Sequence, residues 1–210
     1  MAMQVTAEVP VALMARAPAP GKAKTRLIPR LGATGAARLH AAMTRHALQE
    51  IVGSGLPATL WCDPDADHPF FAECARDFGV ALRSQPSGDL GERMLAIFEA
   101  AEGPLLLMGS DCPTIDARFL FDCARSLKRN AVVIAPTADG GYGLIGLRAP
   151  LGDLFRDMPW GTDAVMAITR ERLLAGKIDL AETPVIWDVD TSDDLARLAA
   201  TGFVIPPYED

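Results

Sequence analysis

A chain of 210 residues, half of them hydrophobic, is long enough to bury one sizeable core and falls in the length range of a single domain. Its formal charge of −7 excludes broad nucleic-acid binding, which needs a basic surface to displace counterions, so contact with a polyanion must be local. Four cysteines without a C-x-x-C pair argue for buried thiols in a reduced, cytoplasmic setting, and three histidines without metal-ligand spacing argue against zinc.

The first apolar run, Val11-Ala-Leu-Met-Ala15 followed by Ala15-Arg-Ala17, has the outline of a signal-peptide core and cleavage site. It lacks a basic leader, follows Glu8 and is short, so export is not expected. No stretch approaches the roughly 20 apolar residues that span a bilayer, so no membrane span is expected.

Further strand-like runs lie at Ala58–Cys62, Leu105–Met108, Val132–Ala135, Leu144–Leu147 and Val185–Val189. Between most of them the apolar residues fall at three- and four-residue steps. Ala36, Leu39, Met43, Ala47, Leu48 and Ile51 form one such stripe, and Leu90, Met94, Ile97, Phe98 and Ala101 another. Alternating strands and helices predict an α/β fold with a mostly parallel sheet, and Gly140-Gly141 predicts a local hairpin that would make the sheet mixed. Nothing marks a repeat or linker, so one domain over residues 1–210 is expected.

Six stretches carry candidate chemistry. Arg16-Ala-Pro-Ala-Pro-Gly-Lys-Ala-Lys-Thr-Arg-Leu27 concentrates cations in a segment, Val9 to Gln49, that has no Asp or Glu. Gly21 would let the backbone approach an anion, and Arg16, Lys22, Lys24 and Arg26 suit phosphate oxygens, although the spacing is not that of a Walker loop. Arg30, Arg38 and Arg45 add further positive charge. The polar loop Gln85-Pro-Ser-Gly-Asp-Leu-Gly-Glu-Arg93 offers Gln85 and Asp89 to a nucleobase or sugar, with helix entry at Asp89 as the competing reading.

Leu105-Leu-Leu-Met-Gly-Ser-Asp-Cys-Pro-Thr114 reads as a buried strand that stops at an acid. Ligands of open α/β sheets gather at the carboxyl ends of strands, so Asp111 is the candidate ligand of a divalent cation on nucleotide phosphates; the competing reading is a helix cap. A second ligand is sought in Trp187-Asp-Val-Asp-Thr-Ser-Asp-Asp-Leu195, where Asp190 is assigned to the metal and Asp188 remains the alternative. Thr191 or Ser192 is expected to cap a helix with Asp193 and Asp194 in its first turn. Thr137-Ala-Asp-Gly-Gly-Tyr-Gly143 and Met158-Pro-Trp-Gly-Thr-Asp163 complete the set, with Asp139 or Asp163 as the base toward an acceptor hydroxyl and Thr162 as an N-cap.

Six motifs in order, Pro20-Gly-Lys-Ala-Lys-Thr-Arg-Leu27, Gly88-Asp-Leu-Gly-Glu-Arg-Met94, Gly109-Ser-Asp-Cys-Pro113, Asp139-Gly-Gly-Tyr142, Pro159-Trp-Gly-Thr162 and Asp188-Val-Asp-Thr191, resemble the glycosyltransferase-like proteins of the DUF2064 type along nearly the whole chain. The resemblance implies the GT-A, nucleotide-diphospho-sugar transferase fold, with a metal bridging Asp111 and a diphosphate and with Lys22, Lys24 and Arg26 on the donor phosphates. A similar K-x-K-[ST]-R-L opening occurs in phospholactate guanylyltransferases, and related folds occur in molybdenum-cofactor nucleotidyltransferases. Two departures are noted: Gly143 stands where these proteins often carry a second aromatic, and Gly161 where they often carry serine.

The expectation is therefore a Mg²⁺- or Mn²⁺-dependent transferase that moves a sugar from a nucleotide-sugar donor to a small-molecule acceptor. Nucleotidyl transfer with release of pyrophosphate is the alternative, and a non-catalytic nucleotide-binding module is a third reading. Fold alone does not choose between them.

Overall fold

The computed structural model describes residues 9–207. Glu8 lies outside them. Seven strands form one sheet in the order β3-β2-β1-β4-β6-β5-β7, where β1 is Val11–Arg16, β2 Ala58–Asp63, β3 Ala81–Ser84, β4 Leu105–Gly109, β5 Val132–Pro136, β6 Tyr142–Leu147 and β7 Leu180–Glu182. The helices are α1 (Ile28–Gly53), α2 (Pro69–Phe78), α3 (Leu90–Glu99), α4 (Ala117–Leu127), α5 (Val165–Ala175) and α6 (Ser192–Ala200). β1, β2, β3 and β4 run parallel, whereas β6 is antiparallel to both β4 and β5. The mixed sheet and the hairpin at Gly140-Gly141 thus match the expectation.

The strand sequences are near-continuously apolar because both faces of the sheet are covered. Along β1, Val11, Leu13 and Ala15 enter one core with Leu48 and Ile51 of α1, Phe71 of α2 and Leu120 of α4. Ala12 enters the opposite core with Ile97 and Phe98 of α3 and Met166 of α5. The same two-residue alternation sends Leu106 and Met108 of β4 to the first core and Leu105 and Leu107 to the second. All four cysteines are free and buried, as small apolar side chains. No helix among the described residues is long and apolar enough to cross a membrane.

Three local expectations need correction. β3 and β7 escape the sequence pattern because each is a short edge strand, only half-shielded, with charged residues that limit edge-to-edge pairing. Val185–Val189 forms no strand: Val185 is 64% exposed, and the segment contributes one isolated bridge, Thr137 to Ile186. The α1 stripe is helical, but the chain breaks at Gly32 (φ 67°) between the first turn and the long helix.

This topology creates the site. From β1 the chain steps outward to β2 and β3, then crosses back to β4 on the other side, so the switch point lies between β1 and β4. The carboxyl ends of those strands deliver Arg16 and Asp111 to one crevice.

Candidate active site

A cavity of about 540 Å³ opens at this edge of the sheet. Its floor is the ends of β1 and β4, one wall is the basic loop after β1, and the opposite wall is the β5–β6 turn with the loop before α5.

Asp111 stands free of helix capping. Asp116 caps α4, accepting from Phe119 N at 2.7 Å, so the competing reading of Asp111 does not hold. Its carboxylate faces the cavity, with Oδ2 2.8 Å from Lys24 Nζ and Oδ1 3.9 Å from His40 Nδ1. Burial alone would raise the Asp111 carboxyl, but the Lys24 ammonium holds it below its ordinary value.

His40 is 6% exposed and was not singled out by the sequence, because its partners come from distant segments. Its Nε2 lies 2.8 Å from the carbonyl oxygen of Arg16 and must donate, which leaves Nδ1 as a lone pair. Nδ1 has no partner among the described residues, and burial pushes the ring's pKa down toward the neutral form.

The basic loop is tied to the acidic segment across the cavity. Lys24 Nζ donates to the Val189 carbonyl at 2.5 Å as well as to Asp111, and Arg26 pairs with Asp190 at 2.5 Å. Arg16 and Lys22 also line the cavity. Arg16 Nε donates to Asp63 at 2.9 Å. Arg38 and Arg45 lie elsewhere: Arg38 donates to the Pro207 carbonyl and Arg45 pairs with Glu73 and Asp77. Gly21 does not line the cavity; its φ of 80° identifies it as a turn residue.

Asp188 and Asp190 part company. Both border the cavity, but Asp190 is engaged by Arg26, whereas Asp188 sits with the other acids. Burial, then the neighbouring Asp139 and Asp111 carboxylates, raise the Asp188 pKa. A carboxyl raised in the folded state binds its proton more tightly there than when unfolded. The folded protein therefore carries a penalty above that raised value and gains stability as pH falls through it. Asp188→Asn removes the penalty and is expected to raise the calorimetric melting temperature at neutral pH while lowering turnover.

Gln85 borders the cavity but its amide is committed, Nε2 donating to the Trp61 carbonyl at 3.0 Å and Oε1 facing Arg93. Asp89 is a correction. It is the N-cap of α3, accepting from Glu92 N at 2.9 Å while Glu92 returns a bond to Asp89 N, and it does not line the cavity. Asp89→Ala should cost about 1 kcal/mol in urea unfolding and leave nucleotide affinity unchanged in calorimetric titration.

On the opposite wall, Asp139 reaches the cavity but spends Oδ1 on Thr137 Oγ1 and Gly141 N, holding the turn. Asp163 does not line the cavity; its backbone packs on Gly140. Thr162 accepts from Ala164 N at 3.4 Å and donates to Pro159, in a turn just before α5, whose N-cap is Ala164. Thr191, by contrast, caps α6 as expected, with Asp194 accepting from Thr191 N and Oγ1. Tyr142 and Trp160 meet edge to face at 6.2 Å, and their Oη and Nε1 are buried without partners among the described residues. A side chain at position 143 would collide with Cys112 Sγ and Ile186, which fill the space an aromatic would need.

Two cavity residues were missed that the sequence offered. Asp63 ends β2 as Asp111 follows β4, and the strand-end argument applies equally to it. Arg93, one turn into α3, reaches back to the Gly88 carbonyl at 2.9 Å and lies 3.9 Å from Asp63.

The chain matches the model of a family described as uncharacterized proteins conserved in bacteria, DUF2064, over residues 47–162. It is 33% identical over 193 residues to a phosphoenolpyruvate guanylyltransferase of Rubrobacter xylanophilus, covering 87% of this chain and 90% of that one. Among solved structures, a Desulfovibrio desulfuricans protein provisionally designated a nucleotide-diphospho-sugar transferase superposes with a TM-score of 0.84 at 30% identity, over 94% of this chain and 88% of that one. A cytidylyltransferase from Leptospira borgpetersenii superposes with a TM-score of 0.64 at 16% identity, over 94% and 88%, and shows the shared fold. A family match over more than half the sequence and a relative aligned along almost all of both chains lead to one conclusion: the chain belongs to the DUF2064 family and is a nucleotide-dependent transferase with the nucleotide-diphospho-sugar transferase fold.

Proposed function

We propose that the chain is a nucleotidyltransferase that moves a guanylyl group from GTP to a small phosphorylated acid of the phosphoenolpyruvate class. The observation that carries this reading is the 33% identical relative named for that reaction and aligned over 90% of its length. It displaces sugar transfer, the first expectation from sequence, in favour of the alternative.

In this reaction an oxygen of the acceptor phosphate bonds to the α-phosphorus of GTP, and the bond from that phosphorus to the β-bridging oxygen breaks. Pyrophosphate leaves with the electron pair. The attacking phosphate oxygen is already anionic at neutral pH, so no side chain has to remove a proton from it. The base role expected of Asp139 or Asp163 is then unnecessary, in keeping with Asp139 holding its turn and Asp163 lying off the cavity.

The work left to the protein is alignment and charge neutralisation. Arg16, Lys22, Lys24 and Arg26 line the wall where the triphosphate would lie, and a preformed set of cations stabilises charge developing on a leaving pyrophosphate without reorganising solvent.

The donor set also suits a divalent cation of the hard, oxygen-seeking kind. Asp111 and Asp188 face one space, and their mutual proximity with Asp139 helps hold Asp188 above its usual value. Mg²⁺ or Mn²⁺ takes one or two carboxylates and completes its shell with phosphates and water. Asp111 and Asp188 would hold the ion, with Asp190 retained by Arg26; when bound, the ion neutralises phosphate oxygens and the leaving group.

The test is direct. Given GTP, phosphoenolpyruvate and Mg²⁺, the purified chain is expected to release pyrophosphate in step with consumption of both substrates. Release of a nucleoside diphosphate from a nucleotide sugar, with no pyrophosphate from any nucleoside triphosphate, would restore sugar transfer and overturn the proposal.

A further inference from the structure

Lys24 is an unusual phosphate ligand because it is already occupied. Its side chain is 5% exposed, and Nζ is held by Asp111 Oδ2 at 2.8 Å and by the Val189 carbonyl at 2.5 Å. The backbone is committed to this placement: Lys24 adopts φ 49°, ψ 47°, a left-handed conformation that non-glycine residues seldom take, and its carbonyl accepts from Leu27 N at 2.9 Å. Two residues on, Arg26 pairs with Asp190 but stays largely exposed. Lys24 is therefore latched to the acidic segment rather than presented to solvent.

The other side of Asp111 has no positive charge. Oδ1 faces the His40 Nδ1 lone pair at 3.9 Å, and Nε2 of the same ring is fixed as a donor by the Arg16 carbonyl. Apart from the Ser110 hydroxyl, which donates to Asp111 Oδ1 at 3.3 Å, Asp111 Oδ1 and His40 Nδ1 form a corner of acceptors whose compensating charge is the Lys24 ammonium.

From this geometry we propose that Lys24 is a built-in counter-ion that holds the divalent-cation position on Asp111, so that the metal binds strongly only with the nucleotide. The proposal rests on the reading of Asp111 as a metal ligand. Two cations competing for one partly buried carboxylate repel each other, which keeps the metal out while Lys24 is in place. A triphosphate offers the ammonium charge-assisted hydrogen bonds of its own. Drawing Nζ onto the phosphates frees Asp111 for the incoming ion, which exchanges one cation for another beside the His40 lone pair. By linkage the coupling is reciprocal, and metal strengthens nucleotide binding by the same factor.

The experiment titrates Mn²⁺ into the full chain and follows water-proton relaxation, which separates protein-bound Mn²⁺ from the Mn²⁺–nucleotide complex. Wild type is measured alone and with α,β-methylene-GTP. Lys24→Met removes the ammonium at similar length, and Lys24→Asn removes it with a residue that tolerates the left-handed backbone; circular dichroism melts verify that each is folded. Wild type alone should bind Mn²⁺ weakly and, with the nucleotide analogue, strongly. Both variants without nucleotide should bind Mn²⁺ about tenfold tighter than wild type, and adding Asp111→Asn to Lys24→Met should erase that gain. If nucleotide-loaded wild type retains no Mn²⁺, the metal reading itself fails and this proposal falls with it. If the loaded protein binds Mn²⁺ but the folded variants gain nothing, or the gain survives Asp111→Asn, the counter-ion role alone is wrong.

Discussion

Asp111→Asn is expected to lower the rate of pyrophosphate release by about a thousandfold, the loss typical of removing a group that organises charge in the transition state. The substitution keeps shape and hydrogen-bonding capacity but removes the negative charge that faces both the cavity and Lys24. Its effect should appear in kcat as well as in nucleotide affinity, because the charge matters most when pyrophosphate departs. Stabilisation of the fold by Mg²⁺ with GTP, read as a shift in melting temperature, should disappear in the same variant. An Asp111→Asn protein that is folded and turns over within a few-fold of wild type would remove Asp111 from the reaction.

Gly140→Ala should have the largest effect on stability of any single methyl added at the rim, a loss of about 3 kcal/mol in urea unfolding. Gly140 has φ 90°, and a Cβ there would sit within the backbone of Asp163, which cannot rotate away as a flexible side chain would. Its carbonyl also accepts from Met166 N at 2.8 Å, so a shift of the turn pulls on the first turn of α5. The strain is where the β5–β6 turn meets the loop before α5, within the wall opposite the basic loop, and turnover should fall with stability. Gly21→Ala provides the contrast: it has a positive φ but nothing within 4 Å of the added methyl, and the cost should be limited to the backbone.

The fold was legible because its interior strands are unambiguous. Leu105–Met108 and Val132–Ala135 are buried on both faces and read as continuous apolar runs, and the helices that cover them carry clean stripes. The edge strands were not, since Ala81–Ser84 and Leu180–Glu182 have neither length nor a buried face to leave a pattern. The site was legible where one residue type at a strand end implies one chemistry, as for Asp111. It was obscured where a local capping role and a ligand role use the same acid: Asp89 looks the same in sequence whether it holds a sugar or accepts from Glu92 N. Partnerships across the chain were out of reach. Lys24 with Val189 is separated by 165 positions, and Arg26 with Asp190 by 164, so no spacing rule connects them.

The reversed direction of β6 separates the two halves of the cavity in the gene as well as in space. Because β6 runs against β4, its first residue, Tyr142, lies at the same rim as the carboxyl ends of the parallel strands, and the facing wall is one short hairpin with its adjoining loop. The ladder that anchors it, Leu105 to Met108 against Leu147 to Leu144, lies below the rim and involves none of residues 137–141. The wall opposite the basic loop is therefore encoded as one short contiguous stretch, set apart from the β4–β6 ladder that anchors it.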